Sequence, residues 1–489
     1  MSTSSRLSDA TLGALPANIA VPAYDRAAIT PGIVHLGVGA FHRAHQAVFV
    51  DDCLGRGETG WGIVAASLRS ADTRDALGPQ NNLYTYCERD GRGETLRVVG
   101  SIVEVLVAPE NPALLLERLS DPRVRLVTLT VTEKGYLANL ADRSLLRDHP
   151  DIAHDLANPQ APRSIYGFLL GAIQRRKGEG SVPLTLLSCD NLPSNGQVLS
   201  ALLGEFAGLA APELVAHIRD QISCPSSMVD RIVPATTAAD REAVSGALGV
   251  EDAWPVVAEP YFRWVIEDRF PHGRPGLEAS GAELVERVEP YEHMKLRMLN
   301  GAHTAIAATG QIAGLETVAD VYADPRVRRF IDRYWRQVAP TLSPDLSAED
   351  YVEGLRSRFA NPTLRHRTVQ IASDASQKVP QRILAPLGEL MDEGTEADAV
   401  LLALALWIRS CAARNEGGAA IVINDPAFNE WDAPDQDALP AEAVVERFLR
   451  FGRVFGGKWR DREGFAERLT AALESIRKNG ALGAIEKLG

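Results

Sequence analysis

The sequence predicts an α/β fold in two parts, a mostly parallel sheet wrapped by helices followed by a mostly α-helical domain. Three observations predict it. Short β-branched runs alternate with helical stretches through the first half of the chain. A Gly-x-Gly turn stands between the first such run and the first helix. After about residue 285 the apolar spacing turns helical nearly throughout, and strand runs become scarce. Alternating strands and helices imply a parallel sheet covered on both faces. The domains are read as 1–285 and 286–489.

The strand candidates are 32–38, 61–67, 95–107, 124–131, 183–189 and 228–234. Helical patterns at 43–54, 112–119, 164–177 and 196–208 fall between them. In the second half, helices are expected at 292–310, 325–338, 348–359, 396–413, 440–454 and 464–488. The longest apolar run, AVLLALALWI at 399–408, has ten residues. A bilayer span needs about 20, so a buried helix is expected there.

Bulk properties narrow the function. A chain of 489 residues is long enough for two or three domains of ordinary size. Its 45% hydrophobic and 24% charged residues fit an ordinary globular protein. A net charge of −13 argues against a nucleic-acid or anionic-membrane partner, which calls for clustered Lys and Arg. The five cysteines, Cys53, Cys87, Cys189, Cys224 and Cys411, form no CxxC zinc pattern and no disulfide framework, so no metal site is read. The first 22 residues lack a basic segment followed by an apolar core, so no signal peptide is read and a cytoplasmic location is expected. A monomer or small homo-oligomer is expected.

Gly32-Ile-Val-His-Leu-Gly37-Val-Gly39-Ala40-Phe41-His42 is a strand, then Gly-x-Gly, then a helix start. Glycine lets the backbone approach a pyrophosphate, and the helix N-terminus offers unpaired N–H groups. His42 stands where a third glycine is usual. Gly37, Gly39, Ala40 and Phe41 are therefore candidate dinucleotide contacts in a Rossmann-like domain. In such folds an acidic residue after the second strand binds the adenosine ribose and favours NAD over NADP. Asp72 stands there, flanked by Arg69 and Arg74, so a 2′-phosphate stays open. The plainer reading of Asp72 is a solvated loop carboxylate.

The segment Tyr291-Glu-His-Met-Lys295-Leu-Arg-Met-Leu-Asn300-Gly-Ala-His303 is the most informative. On a regular helix, with Lys295 at zero, Glu292 falls near 60°, His303 near 80° and Asn300 near 140°, at about 100° per residue. Met294, Met298, Ala302 and Ala305 occupy a separate apolar arc. Alcohol oxidation needs a base for the hydroxyl proton, donors for the developing alkoxide and a hydride acceptor. Lysine serves as the base when burial lowers its pKa. The plainer reading is an exposed polar helix face. Tyr291 and Lys295 also make a Tyr-x-x-x-Lys pair, but the glycine turn is not of the short-chain dehydrogenase kind and lies far upstream.

Other segments lie beside these. Ser188-Cys-Asp-Asn191-Leu-Pro-Ser-Asn195 follows a strand candidate, where α/β ligands bind. Asn191 is a second amide donor, or part of an Asn-rich turn. Asp230 and Arg231 sit inside an apolar run, as a site or as a structural ion pair. Thr132 and Glu133 also follow a strand. Arg365, His366, Arg367 and Lys378 form a basic cluster suited to a carboxylate or hydroxyl-rich ligand, or simply helix-surface charge.

Together, GIVHLGVGAFHRAHQA, SCDNLPSNG, SMVDRIVPAT, EPYFRWVIEDRF and YEHMKLRMLNGAH resemble the polyol-specific long-chain dehydrogenases, over almost the whole chain. The resemblance implies a Rossmann domain and a helical domain with the active site between them, NAD as cofactor and no catalytic zinc. It implies Lys295 as general acid/base, Asn191 and Asn300 as the oxyanion hole, and His303 on substrate hydroxyls. Asp230 is then near cofactor and substrate, Glu292 on a proton path, and Thr132 and Glu133 near the cofactor. Within the family, Thr132-Glu-Lys134-Gly-Tyr136 and Gln370 depart from the mannitol-type pattern, and 364–382 looks more like the fructuronate reductase branch. That branch implies a hexuronate pair, D-mannonate and D-fructuronate, with Arg365, His366 or Arg367 on the carboxylate and Lys378 nearby. A neutral polyol stands as the alternative. A catalytically silent sugar- or nucleotide-binding protein is the alternative of another class.

Overall fold

The computed structural model describes residues 5–139, 142–431 and 433–488. It falls into two compact units, Met1–Glu289 and Pro290–Gly489.

The strands of the first unit are β1 (Pro31–Leu36), β2 (Gly62–Ser67), β3 (Tyr84–Asp90), β4 (Gly93–Val99), β5 (Ile102–Val107) and β6 (Leu126–Leu129). The short pair β7 (Ala138–Asn139) and β8 (Ser144–Leu145) comes next, then β9 (Thr185–Ser188) and β10 (Ser227–Asp230). The last are β11 (Val256–Ala258), β12 (Arg263–Glu267) and β13 (Glu283–Val285). The main sheet has the order β5-β2-β1-β6-β9, and every neighbouring pair is parallel. The sheet grows outward in both directions from β1. The strand order therefore reverses between β1 and β6, and the carboxyl ends of those two strands form the crevice where doubly wound folds bind ligands.

β1 is buried on both faces, as a central parallel strand must be. Val34 and Leu36 pack with Leu115, Phe168 and Leu199 on one side. Ile33 packs with Phe49, Ile63 and Trp264 on the other. The helices that cover the sheet carry their own start and stop signals. In Ile165–Glu179 the Ser164 side chain accepts from the Gly167 N–H, and Gly180 closes the helix at φ 68°.

The run at 95–107, which reads as one strand in the sequence, is two. The chain breaks at Gly100, whose N–H donates to the buried Asp51 carboxylate at 2.8 Å. β4 joins β3 and β11 in a second sheet, whereas β5 edges the parallel one. β3, β11, β12 and β13 carry little signal in the sequence. They are short or end in charged residues, so the apolar pattern is faint.

In the second unit, among the described residues, no strand forms beyond isolated bridges. The apolar run at 399–408 forms the helix Asp398–Ser410, buried along nearly its whole length. It packs against the helix Gly301–Ala313 and against Phe465–Lys487. The helix Pro325–Val338 turns Val327, Phe330, Ile331, Tyr334 and Val338 inward at helical spacing. The pattern at 440–454 is two helices, Ala441–Leu449 and Gly452–Phe455. Among the described residues, no helix is long and apolar enough to cross a membrane. All five cysteines are free thiols.

Candidate functional site

The glycine turn lies at the switch point. Gly37 has φ +100°, and a Cβ there would meet the Thr130 carbonyl oxygen at 2.3 Å. Only glycine fits such a backbone. The Thr130 hydroxyl ties the turn to β6 by donating to the Gly37 carbonyl at 2.8 Å. A Cβ on Gly39, by contrast, would meet nothing nearer than the Gly37 carbonyl at 3.9 Å. The backbone is therefore open at Gly39, and Ala40 and Phe41 start the helix Ala40–Ala44 directly behind it. His42, at the third-glycine place, is buried and stacks on His35 at 3.4 Å. His35 is itself held by Thr128 at 2.8 Å and Thr130 at 2.9 Å. Burial holds His35 near pKa 3 and His42 well below the usual histidine range, so both are uncharged packing under the turn.

Asp72 is exposed and opens the helix Asp72–Leu77. Its carboxylate accepts from the Ser70 hydroxyl at 2.9 Å. Arg74 is engaged by Asp75 and Glu110, so of the two flanking arginines it already has carboxylate partners.

Sequence reasoning passes over Asp190. Its carboxylate accepts the N–H of Thr132 at 2.7 Å, the N–H of Val131 at 3.2 Å and the Tyr136 hydroxyl at 3.0 Å. Thr132 has φ +63°. A β-branched residue in the left-handed region is strained by about 1–3 kcal/mol, and such strain persists only where the surroundings impose it. Asp190 imposes it, joining the end of β9 to the Thr132–Gly135 turn. Burial pushes Asp190 up to about 6 against the backbone hydrogen bonds that lower it. Asn191, the next residue, is exposed. Asn195 is structural, because its buried amide donates to the carbonyls of Asp190 at 2.9 Å and Ser227 at 2.8 Å.

Asp230 ends β10 and is 2% exposed. Arg231 donates to the carbonyls of Ala44 at 2.7 Å and Glu259 at 2.8 Å and pairs with Glu88 at 3.1 Å. It clamps the fold. Thr132 and Glu133 are both exposed.

In the second unit the helix bearing Lys295 is not regular. It is α-helical over Glu289–Met294, a π-helix over Lys295–Asn300 and α-helical again over Gly301–Ala313. The Gly301 N–H bonds the Leu296 carbonyl, five residues back. The wheel at about 100° per residue therefore misplaces Asn300. A π turn brings residues five apart, here Lys295 and Asn300, toward one face. Lys295 and Asn300 are half-buried, Glu292 is 8% exposed and His303 is 5% exposed. The exposed-face alternative therefore fails for this helix. Arg297 leaves on another side and binds Glu389 through two hydrogen bonds of 2.6 and 2.7 Å.

The Asn300 amide nitrogen and His303 Nε2 are buried with no hydrogen-bond partner in the protein. So is His366 Nδ1, and the His303 and His366 rings meet edge to face at 5.1 Å. Such groups cost about 1–3 kcal/mol each when nothing bonds them. Burial, then the nearby His366, Arg358 and Arg382, hold His303 well below the usual histidine range. His303 is thus a neutral hydrogen-bonding group. Arg358 and Arg382 carry no signal in the sequence, being two arginines among many.

The basic cluster comes apart. Arg365 (φ +41°) and Arg367 are exposed, while His366 is half-buried and turned to His303. Lys378 donates to the Ser373 carbonyl at 2.5 Å.

A switch-point glycine turn in one unit and a lysine on a π-broken helix in the other define a Rossmann-plus-helical dehydrogenase class. The chain belongs to the mannitol dehydrogenase family: the model of its Rossmann domain matches residues 31–279 and that of its C-terminal domain residues 287–477. It is 40% identical over 480 residues to a mannitol 2-dehydrogenase of Pyrenophora tritici-repentis, covering 96% of this chain and 84% of that one. A ternary complex of Pseudomonas fluorescens mannitol 2-dehydrogenase with NAD and D-mannitol matches with TM-score 0.85 and 34% identity, over 99% of each chain. A substrate-free D-sorbitol dehydrogenase matches with TM-score 0.91 and 32% identity, over 98% of this chain and 100% of the other.

Proposed function

We propose that the protein is an NAD-dependent oxidoreductase that interconverts a secondary alcohol of a linear polyol with the ketone of its ketose. One observation carries the reading. On the helix of Lys295, the Asn300 amide and His303 Nε2 are buried with their hydrogen bonds unmade. They suit the hydroxyls and carbonyl of an open-chain sugar. Family membership and the mannitol 2-dehydrogenase relatives support it.

Gly37, Gly39, Ala40 and Phe41 hold the dinucleotide phosphates, Asp72 the ribose, and Thr132, Glu133 and Asp230 the nicotinamide half. The open backbone at Gly39 fits such a ligand. NAD, when bound, supplies the hydride chemistry. Lys295 Nζ takes the hydroxyl proton in oxidation and returns it in reduction. The Asn300 amide donates to the oxygen as charge develops, a role in which preorganised uncharged donors are effective, and Asn191 is the second donor that the family resemblance implies. His303, held neutral, fixes a neighbouring hydroxyl. Glu292 passes the proton toward solvent.

The second reading is a sugar acid of the D-mannonate and D-fructuronate kind. Arg358 and Arg382 beside His303 favour it. The exposure of Arg365 and Arg367 removes part of its support. Rates of NADH oxidation with D-fructose, D-xylulose and D-fructuronate separate the readings. D-fructose or D-xylulose is expected to give the highest kcat/KM. A preference for D-fructuronate of about tenfold or more, equal to about 1.4 kcal/mol, would move the assignment to the sugar acid. Absence of turnover with all three would favour a binding protein.

A further inference from the structure

We propose that Tyr334 is a positioning residue for the reaction: its hydroxyl, with the indole of Trp335, holds the π turn that sets Lys295, Asn300 and His303. The inference rests on the reading of Lys295 as the proton-transfer group.

A π turn shifts the helical hydrogen bonds from four residues to five and is rarely stable unaided. Here it is held from outside. The Tyr334 hydroxyl donates to the Arg297 carbonyl at 3.0 Å and lies 3.3 Å from the Arg382 carbonyl. The Trp335 indole N–H donates to the Met298 carbonyl at 3.0 Å. Both accepting carbonyls, Arg297 and Met298, lie inside the Lys295–Asn300 turn. Arg382 lies in a second π segment, Pro380–Leu384, packed against the first. One fully buried phenol thus bridges two irregular turns.

Gly301 is the second, independent sign. It has ordinary helical angles, φ −65° and ψ −49°. Glycine within a helix is unfavourable relative to alanine, so its presence needs a reason. A Cβ at 301 would lie 2.1 Å from the Tyr334 hydroxyl and 3.0 Å from the Arg382 carbonyl. The missing side chain is the space the phenol occupies. Sequence, close approach and carbonyl capture agree on one device that fixes the angular offset between Lys295 and Asn300.

The test uses the full chain with NADH and D-fructose, and compares Tyr334→Phe with Lys295→Ala. In Tyr334→Phe, kcat is expected to fall about 10- to 100-fold, the cost of slight misplacement of reacting groups. KM for D-fructose and binding of NADH should change less than about threefold, and the limb of the kcat pH profile lost in Lys295→Ala should move. Gly301→Ala should show the same signature. The double variant should lose less than the product of the two single losses, because the phenyl ring leaves room for the methyl. If Tyr334→Phe does not fold, Trp335→Phe, which frees the Met298 carbonyl, must show the signature instead. A Tyr334→Phe protein with a lower melting temperature but parental kcat and an unmoved pH limb overturns the proposal, while inactive Lys295→Ala keeps the acid/base reading. Parental turnover in Lys295→Ala overturns both.

Discussion

The carboxylate of Asp190 accepts the backbone N–H of Thr132 at 2.7 Å and holds that residue at φ +63°. This bond joins the segments that follow the carboxyl ends of two neighbouring parallel strands, the one after β9 that carries Asn191 and the one after β6 that carries Thr132 and Glu133. Replacing Asp190 with Asn turns one acceptor oxygen into a donor facing a backbone N–H. Asp190→Asn should lower stability by about 1–3 kcal/mol and weaken NADH binding. Urea unfolding and fluorescence titration of NADH measure the two effects. Unchanged NADH affinity would show that the Thr132 turn is not part of the dinucleotide site.

Gly37 combines φ +100° with a Cβ position 2.3 Å from the Thr130 carbonyl. Gly37→Ala should destabilise the first unit by at least about 1–3 kcal/mol and abolish measurable dinucleotide binding, whereas Gly39→Ala should fold normally. Melting curves with and without NAD distinguish the two. Equal NAD-induced shifts in Gly37→Ala and the parent would remove the turn from the site.

Asp72 is the acidic ribose candidate, and Arg74 beside it is already paired with Asp75 and Glu110. Asp72→Ala should raise kcat/KM with NADPH relative to NADH, by about tenfold for each 1.4 kcal/mol of lost discrimination. A ratio unchanged from the parent would place cofactor choice elsewhere.

What can be read from the sequence depends on the reach of each contact. The turn at Gly37 and the helix of Lys295 are readable because their signals are local, a strand followed by a glycine turn and a polar face on an apolar helix. Asp190 is not, because its partner Thr132 lies 58 residues away. The π turn is not, because Tyr334 and Trp335, 37 residues downstream of the carbonyls they bind, supply the hydrogen bonds that favour it. Periodicity at about 3.6 residues cannot encode a turn closed by distant donors. Arg365, His366 and Arg367 look alike as a basic run. Only the fold turns the middle one to His303 and leaves its neighbours exposed.

His366 and His303 should make the second unit sensitive to acid. Burial, with Arg358 nearby, lowers His366 to about 4, and burial lowers His303 in the same direction. Both are ordinary histidines near 6.5 once unfolded. Between those values the unfolded chain binds more protons, so stability should fall as pH drops from about 6.5 toward 4, by up to about 3 kcal/mol for His366. His366→Gln should flatten that slope in urea unfolding followed across the range. An identical slope in the variant would show that His366 is as solvated in the folded protein as in the unfolded chain.

The proposed mechanism rests on proton transfer by Lys295, and it stands or falls on the turnover of Lys295→Ala. NADH oxidation by the parent and by Lys295→Ala should be followed from about pH 6 to about pH 10 with the preferred ketose. Loss of a general acid/base is expected to lower kcat by about 10²- to 10⁴-fold and remove the lysine limb of the profile, with NADH affinity unchanged. A Lys295→Ala protein that turns over within about threefold of the parent, with the same pH profile, would contradict this mechanism.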